Sequence, residues 1–215
     1  MAALAVCGGS VLRGLDVSVP GAFFLQRHGT GDYVLPHRID HVANMRSVVE
    51  AGCERVLAIA SVGGLRSELG PGTLLCPDDF IALGVGPAAF EDERAHSVPG
   101  FDPGWRRRVI SEWRQRTGSE VIDGGVYWQT RGPRLETPAE VRLIGAHAHV
   151  VGMTIAAECV AAFDVGLAYA AICVVDNLAN GVGDTELTME ELDAGRARNR
   201  ETMVHGLEQT VPALA

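Results

Sequence analysis

Short apolar runs rich in β-branched residues alternate with longer amphipathic stretches along this chain, and this alternation constrains the fold more than any other feature. It is typical of α/β proteins, in which helices flank a mixed, largely parallel central β-sheet. The predicted strands are Ala3–Cys7, Ala22–Gln26, Arg55–Ala60, Thr73–Cys76, Glu120–Ile122, Val126–Thr130, Val150–Gly152 and Tyr169–Val175. The predicted helices are His41–Ala51, Pro103–Thr117, Pro138–Ala146, Ile155–Val165 and Met189–Thr210.

Length and composition predict one soluble globular domain over residues 1–215. A chain of 215 residues can bury a sizeable core, and no repeat, low-complexity tract or break in composition divides it. Hydrophobic residues make up 47% and charged residues 21% of the chain, which excludes the disordered and fibrous classes. The net charge of −9 argues against general binding to nucleic acid or to anionic membranes.

Cysteine usage and apolar segments favour a cytoplasmic location. The 5 cysteines are scattered and form no Cys-x-x-Cys or Cys/His metal pattern, so we interpret them as buried thiols in a reducing compartment and expect no metal. Residues 1–6 are apolar without a basic leader, which favours a first core strand over a signal peptide. The apolar region 155–175 carries Glu158 and Asp164, so it should not span a membrane.

Several predicted strands end in groups suited to an anion: Gly8-Gly9-Ser10, Arg27-His28-Gly29, Ser61-Val62-Gly63-Gly64 and Met153-Thr154. Arg27 and His28 join a fixed cation to a titratable donor, Ser61 precedes a potential backbone nest, and Thr154 opens a helix. Each one alone also fits a turn glycine, a surface arginine or a helix cap. If the strands are parallel neighbours, these ends converge at one sheet edge. A small tetrahedral anion fits best, because neither a P-loop nor a dinucleotide fingerprint is present.

A second polar group is suited to the edge of a heterocycle. Its members are Glu136, Met153, Glu158, Asp176, Asn177 and Asn180. Glu136 precedes a helix entry with Thr137 as N-cap and Glu140 three residues later. Glu158 also fits an exposed or helix-satisfied carboxylate, and Asp176 also fits an N-cap or turn. An enzyme pocket is therefore the leading hypothesis, with its location inferred from these strand and helix ends.

Further short motifs extend nearly over the whole chain: Leu35-Pro36-His37-Arg38-Ile39 with Ala43-Asn44, Leu65-Arg66, Leu69–Gly72, Pro77–Ile81, Gly124–Tyr127, Gly132–Thr137 and Val151–Thr154. Together with the glycine and Arg-His motifs above, they resemble the trimeric nucleoside phosphorylases, in the branch of 5′-methylthioadenosine phosphorylase and purine nucleoside phosphorylase. The resemblance implies a nucleoside phosphorylase-like fold and phosphorolysis, in which a nucleoside and inorganic phosphate give a free base and ribose 1-phosphate. It implies no cofactor beyond phosphate as co-substrate, and a homotrimer or a dimer of trimers.

The resemblance also implies residue roles by position. Phosphate would be held by Ser10, Arg27, His28, Ser61 and Thr154. The nucleoside would contact Val62, Gly63, Leu135, Glu136, Gly152, Met153, Asp176 and Leu178, with His96 reaching the 5′ group in a neighbouring subunit. Met153 would pack under the ribose, and Asp176 and His28 are the expected catalytic residues. Asp176 is preferred over Glu136 as proton donor to the leaving base. Replacing Arg27 or Thr154 by Ala should abolish phosphate use and leave the fold intact.

Departures from the family pattern concentrate around the base. Leu135 stands where a base-packing Phe is usual, which removes about 0.5–1.5 kcal/mol of stacking. Asp176 matches the aspartate of adenine-type enzymes, but Leu178 stands where those enzymes carry a further carboxylate. Glu136 instead matches many 6-oxopurine enzymes. The segment between Ser10 and Phe23 is shorter than the family's. Base identity therefore stays open among adenine, a 6-oxopurine and a pyrimidine.

The primary hypothesis is a phosphorylase for a 5′-modified, methylthioadenosine-like nucleoside in purine salvage. One alternative is a phosphorylase for an unusual or pyrimidine 5′-modified nucleoside in specialised metabolism. Another is a non-catalytic nucleoside-binding protein, suggested by the shortened segment and the missing aromatic residue at Leu135. A nucleosidase that uses water is a third, although the retained Arg27, His28 and Thr154 argue against it.

Overall fold

One mixed sheet with helices on both faces organises the chain. The computed structural model describes residues 3–14, 20–84, 86–183 and 187–215. The strands are β1 (Ala3–Gly8), β2 (Ala22–Gln26), β3 (Cys53–Gly64), β4 (Leu74–Cys76), β5 (Asp79–Ile81), β6 (Ile122–Asp123), β7 (Val126–Gln129), β8 (Val150–Gly152) and β9 (Ala168–Leu178). The helices are α1 (His41–Glu50), α2 (Pro103–Thr117), α3 (Pro138–Gly145), α4 (Ile155–Asp164) and α5 (Met189–Leu214).

The strand β3 lies at the centre of the sheet. On one side it pairs in parallel with β9, and on the other it pairs first with β1 in parallel and then, through Gly63 and Gly64, with β8 in antiparallel orientation. The strand order is β5-β7-β8-β3-β9-β4-β6, and β1 and β2 branch from β3. Within the described residues only the β3–β8 and β4–β9 pairs are antiparallel. The predicted mixed, largely parallel sheet is confirmed.

Two apolar layers cover the faces of the sheet. Alternate residues of β9 point to opposite layers, with Tyr169 in the layer under α1 and α4 and Ile172 in the layer under α2 and α5. Both are fully or almost fully buried, as expected for a strand covered on both faces. On the second face Gly206 of α5 lies against Trp113 of α2, and a Cβ at that glycine would overlap the indole ring. This close approach packs α5 against α2.

Most predicted elements are confirmed, and the differences have local causes. β5 was not predicted, because it is short and depends on pairing with β7. The strand predicted at Glu120–Ile122 lies at Ile122–Asp123, where only β4 pairs with it. Helix α5 continues through Pro212, because Val211 and Leu214 beyond the predicted end are fully buried. Residues 1 and 2 of the apolar stretch 1–6, and residues 15–19 of the shortened segment, lie outside the described residues.

The cysteines are all buried and unpaired, as predicted. Burial raises the pKa of the Cys76 thiol to about 11, so this thiol stays protonated near neutral pH. Among the described residues, no helix combines the length and apolarity that crossing a membrane requires. Within those same residues, no group of His, Cys, Asp and Glu has a metal-binding arrangement.

Candidate active site

A cavity of about 850 Å³ lies where several strands of the sheet end, and its size suits a small-molecule ligand. Most of the side chains that the sequence singled out line it: Ser10, Arg27, His28, Ser61, Val62, Gly63, Leu135, Glu136, Gly152, Met153, Thr154 and Asp176. Two others do not. Leu178 packs near Gly64 and Gly183, and His96 ends an exposed 3₁₀ turn elsewhere on the chain.

Strand direction explains why these residues meet. β1, β2, β3 and β9 are parallel, so their carboxyl ends reach the same edge of the sheet. β8 is antiparallel to β3, contrary to the simplest expectation of parallel neighbours. Because β8 pairs only with the last two residues of β3, Thr154 after it still lies on the cavity beside the end of β3. The predicted convergence is confirmed, and the roles of the residues stay predictions.

The start of α4 offers a hydroxyl group rather than free amides. Thr154 is the N-cap residue, as predicted, but its side chain makes no capping hydrogen bond. The amides of Thr154 and Ile155 donate to the Tyr127 hydroxyl at 3.1 and 3.4 Å, and that of Ala157 donates to Gln129 Oε1 at 3.0 Å. These buried partners satisfy most of the N–H groups that would otherwise point at an anion. The Thr154 hydroxyl remains available to a ligand, because it makes no capping hydrogen bond.

Arg27 is buried in an ion pair with Glu158. Its Nε and Nη2 donate to the two carboxylate oxygens at 2.6 and 2.7 Å, and Nη1 donates to the Ile59 carbonyl at 2.9 Å. Tyr169 donates its hydroxyl to Glu158 Oε1 at 2.7 Å. Burial alone would raise the pKa of Glu158, but the charge and hydrogen bonds of Arg27 hold it below its ordinary value. Glu158 is fully buried and does not line the cavity, so its predicted place beside a heterocycle is wrong.

Gly9 makes room for this ion pair. A Cβ atom at that position would lie 2.5 Å from the Ile59 carbonyl oxygen and 2.8 Å from Arg27 Nη1. Both distances are shorter than ordinary van der Waals contact, and one of the partners is backbone that cannot move aside. Glycine after β1 is therefore required for the chain to pass over the guanidinium group.

His28 is held as a neutral imidazole. Its Nδ1 lies 2.9 Å from the Val34 carbonyl oxygen, which can only accept, so Nδ1 carries the proton and Nε2 is left as an acceptor. Burial lowers the pKa of His28 to about 4. The Tyr33 ring packs beside the imidazole with 5.0 Å between centroids. His41, at the start of α1, is also buried, and burial lowers its pKa to about 4.

The two buried histidines predict a loss of stability in acid. In the unfolded chain each imidazole has a pKa near 6.5, so between pH 6.5 and 4 the unfolded state binds protons that the folded state excludes. Stability should be full above pH 6.5 and should fall as the pH drops towards 4. We expect a decrease on the order of 2–3 kcal/mol for each histidine in the free energy of unfolding, measured with urea at several pH values.

A His41→Gln variant should show a shallower pH dependence than the unmodified protein, because it removes one of these titrating groups. A matched His147→Gln variant, at an exposed position, should keep the original slope. If the free energy of unfolding fell equally steeply with decreasing pH in all three proteins, the acid sensitivity could not be assigned to the buried histidines.

Asp176 is a buried carboxyl group, and one of its oxygen atoms accepts no hydrogen bond from the described residues. Val62 pairs with Val175 and Gly63 pairs with Asn177, so Asp176 is the extra residue of a β-bulge in β9. Its Oδ1 accepts from Asn199 Nδ2 at 2.7 Å, whereas Oδ2 has no hydrogen-bond partner among the described residues. Burial raises its pKa, although the Asn199 hydrogen bond and other neighbours oppose the shift. A carboxyl group with a raised pKa at a cavity wall is suited to proton transfer.

Arg196 and Ser61 lie beside Asp176. Arg196 Nε is 4.0 Å from Asp176 Oδ2, and Arg196 Nη1 donates to Asp193 at 3.1 Å. The Ser61 hydroxyl is buried and close enough to Asp176 to oppose the rise of its pKa, but it makes no hydrogen bond of normal geometry within the described chain. Unpaired buried polar atoms are costly in a folded protein, and at a cavity wall they point to a ligand that satisfies them.

Glu136 and Met153 also line the cavity. Thr130 donates its hydroxyl to Glu136 Oε1 at 2.6 Å, which orients the carboxylate. Gly132 has a φ of +65°, and a Cβ there would lie 2.5 Å from the Met153 sulfur. A glycine at this turn therefore seats Met153 against the cavity.

Several cavity residues were missed from the sequence. They are Arg13, Tyr33, Leu187, Met189, Leu192, Asp193, Arg196, Ala197 and Arg200. Those on α5 recur every three or four positions, which marks one helical face but not what that face touches. Their position depends on how α5 packs against α2 and β9, which no local pattern reveals.

Comparisons with known proteins agree with this architecture. A family model described as the phosphorylase superfamily matches residues 20–211. A probable 6-oxopurine nucleoside phosphorylase from Archaeoglobus fulgidus is 37% identical over 198 residues, covering 92% of this chain and 79% of the relative. A probable S-methyl-5′-thioinosine phosphorylase from Xanthomonas campestris is 37% identical over 201 residues, with 89% and 78% covered. A methylthioadenosine phosphorylase from Schistosoma mansoni, solved with adenine, shares the fold with a TM-score of 0.84 at 18% identity, covering 100% of this chain and 92% of that one.

Proposed function

The chain belongs to the phosphorylase superfamily and is a nucleoside phosphorylase, and from this premise we propose that its substrate is a 5′-modified nucleoside with a 6-oxopurine base. The observation that carries the proposal is the orientation of Glu136 at the cavity wall. Thr130 occupies one carboxylate oxygen, and the second accepts no hydrogen bond from the described residues. That second oxygen is available to a donor on the substrate.

The hydrogen-bonding pattern of the base decides between the purines. A 6-oxopurine carries a proton on N1 and can donate it to a carboxylate, whereas N1 of adenine is an acceptor. An ionised carboxylate is also only an acceptor, so adenine would bring two acceptors face to face. The names of the two relatives at 37% identity both specify 6-oxopurine nucleosides, which supports the same choice.

We place phosphate at the hydroxyl groups near the ends of β1, β3 and β8. Ser10, Ser61 and Thr154 line the cavity there, and the Ser61 and Thr154 hydroxyls have the free hydrogen-bonding capacity described above. His28 lines the same cavity. Arg27 also lines this cavity, with its guanidinium packed beneath the turn at Gly9. Hydroxyl donors of this kind bind phosphate oxygens directly, and inorganic phosphate is the only co-substrate that the proposal requires.

The proposed reaction is a displacement at C1′ of the ribose. A phosphate oxygen forms a bond to C1′ as the bond from C1′ to N9 breaks, and the electron pair of that bond leaves with the base. Asp176 in its protonated form donates its proton to the departing purine, which its raised pKa favours. Met153 packs against the ribose. The products are the free base and the ribose 1-phosphate derivative.

Assembly and location remain part of the proposal. His96 is exposed and does not line the cavity of its own chain, so a role at the 5′ group requires a neighbouring subunit. The family resemblance supports a homotrimer, or a dimer of trimers, in the cytoplasm, with a role in purine salvage. Sedimentation of the purified protein tests the assembly directly.

Base preference tests the proposed substrate. We expect kcat/KM for inosine and S-methyl-5′-thioinosine to exceed that for adenosine and methylthioadenosine about ten- to hundred-fold, because an unpaired buried acceptor costs about 1–3 kcal/mol. Glu136→Gln should weaken this preference, since an amide can also donate. Glu140→Gln is the matched control, because Glu140 is exposed and paired with Arg134. A preference for the adenine nucleosides or for uridine would contradict the assignment.

A further inference from the structure

The groups placed around phosphate carry little net positive charge. The Arg27 guanidinium is matched by the Glu158 carboxylate through contacts of 2.6 and 2.7 Å, so the pair sums to zero. His28 is neutral at pH 7, because burial lowers its pKa to about 4. Ser10, Ser61 and Thr154 add only hydroxyls. A phosphate anion taken out of bulk water needs a compensating cation, which this set does not provide.

Arg13 lies on the same cavity wall. It directly follows the 3₁₀ turn Ser10–Leu12 and lines the cavity together with Ser10 and His28. Its guanidinium carbon lies 4.3 Å from the centre of the Tyr33 ring, and that ring lies 5.0 Å from the imidazole of His28. Arg13, Tyr33 and His28 therefore form a continuous stack at the edge of the cavity, with the cation outermost.

The backbone that carries Arg13 is anchored from α5. Arg200 donates from Nε to the Val11 carbonyl at 3.2 Å and from Nη2 to the Arg13 carbonyl at 3.3 Å. These bonds hold the turn after β1 against the helix, while the Arg13 side chain is left exposed to the cavity. Arg200 thus acts as a positioning residue for this turn.

The other cavity arginines have partners of their own. Arg27 pairs with Glu158, and Arg196 with Asp193 and, at 4.0 Å, with Asp176. Arg200 keeps its positive charge, but its Nε and Nη2 already donate to the Val11 and Arg13 carbonyls. Within residues 3–14, 20–84, 86–183 and 187–215, no carboxylate pairs with Arg13, whose side chain packs on the Tyr33 ring. Arg13 is therefore the cation best placed to compensate an anion.

We propose that Arg13 is a phosphate-binding residue, which supplies the net positive charge of the phosphate site from the turn after β1. A guanidinium group presents paired N–H donors that match phosphate oxygens, and such charge-assisted bonds are stronger than bonds between neutral groups. The assignment rests on the proposed phosphorolysis. It adds to the predicted set a residue that neither the sequence motifs nor the family resemblance singled out.

Kinetics with phosphate as the varied substrate tests the assignment. We expect Arg13→Gln to raise KM for phosphate about ten- to hundred-fold, with Arg13→Lys in between. The KM for nucleoside and kcat at saturating phosphate should change less than about three-fold, because Arg13 is not assigned to the base or the ribose. Arg107→Gln, an exposed arginine on α2 away from the cavity, is the matched control and should leave every constant unchanged.

The outcomes separate this inference from the proposed function. Phosphate-dependent base release by the unmodified protein, with an unchanged KM for phosphate in Arg13→Gln, would overturn the role of Arg13 alone. A raised KM for nucleoside with unchanged KM for phosphate would also overturn it. Base release that ignores phosphate in the unmodified protein would overturn the proposed function instead. A thermal melt of each variant confirms that folded proteins are compared.

Discussion

Arg27→Ala is expected to lower the free energy of unfolding by about 3–5 kcal/mol, which corresponds to a fall in Tm of roughly 6–20 °C for a chain of this size. The substitution leaves the Glu158 carboxylate fully buried with Tyr169 as its remaining strong partner. It also removes the donors to the carbonyls of Ile59 and Cys7. The buried ion pair therefore predicts a loss of stability in this variant, where the sequence alone predicted an intact fold.

Urea and thermal unfolding measure this effect. The double variant Arg27→Met with Glu158→Leu should recover much of the lost stability, because replacing both members of a buried pair by apolar groups is often neutral. Arg134→Ala, which removes the exposed pair with Glu140, should change stability far less. An Arg27→Ala protein as stable as the unmodified one would show that the buried pair does not hold this part of the fold.

Asp176→Asn is expected to lower kcat about 10²- to 10⁴-fold, the range for removal of a general acid. The fold should be retained, because an asparagine keeps the oxygen that accepts from Asn199. The amide cannot deliver a proton to the leaving base. In the unmodified protein kcat should fall as the pH rises through the raised pKa of Asp176, since the protonated carboxyl group is the active form.

The pH profile of kcat distinguishes this role from simple packing. In the Asp176→Asn variant, kcat should no longer fall as the pH rises through the pKa of Asp176. Asp193→Asn is a suitable control, because Asp193 lies on the same cavity but forms an exposed pair with Arg196. Its kcat should stay within a few-fold of the original. If Asp176→Asn retained more than about a tenth of the activity, another group would have to donate the proton.

Local signals predict much of the fold. Helix α2 begins and ends as predicted, because Asp102 caps its start, Pro103 opens it and Gly118 closes it with a φ of +69°. β5 carries no comparable signal, since it exists only through its pairing with β7. The end of α5 was misplaced because a proline inside a helix is normally a stop signal, and here burial of Leu214 prevails.

Local signals likewise predict some residues of the candidate site and not others. Ser10, His28 and Thr154 could be placed because each lies two residues after a strand whose end is visible in the sequence. The partner of Arg27 could not be identified, since Glu158 lies 131 residues away and its helical surroundings also fit a surface carboxylate. Arg13 was missed because it follows a short turn, and no local pattern in the sequence places that turn on the cavity.

The most direct test of the account is the identity of the sugar product. The purified protein is incubated with inosine or S-methyl-5′-thioinosine, with and without inorganic phosphate, and the products are separated and identified by mass. The account predicts hypoxanthine together with an equal amount of ribose 1-phosphate or its methylthio derivative, and no release of base without phosphate. Hypoxanthine with free ribose, or no release from any nucleoside by the folded protein, would contradict it.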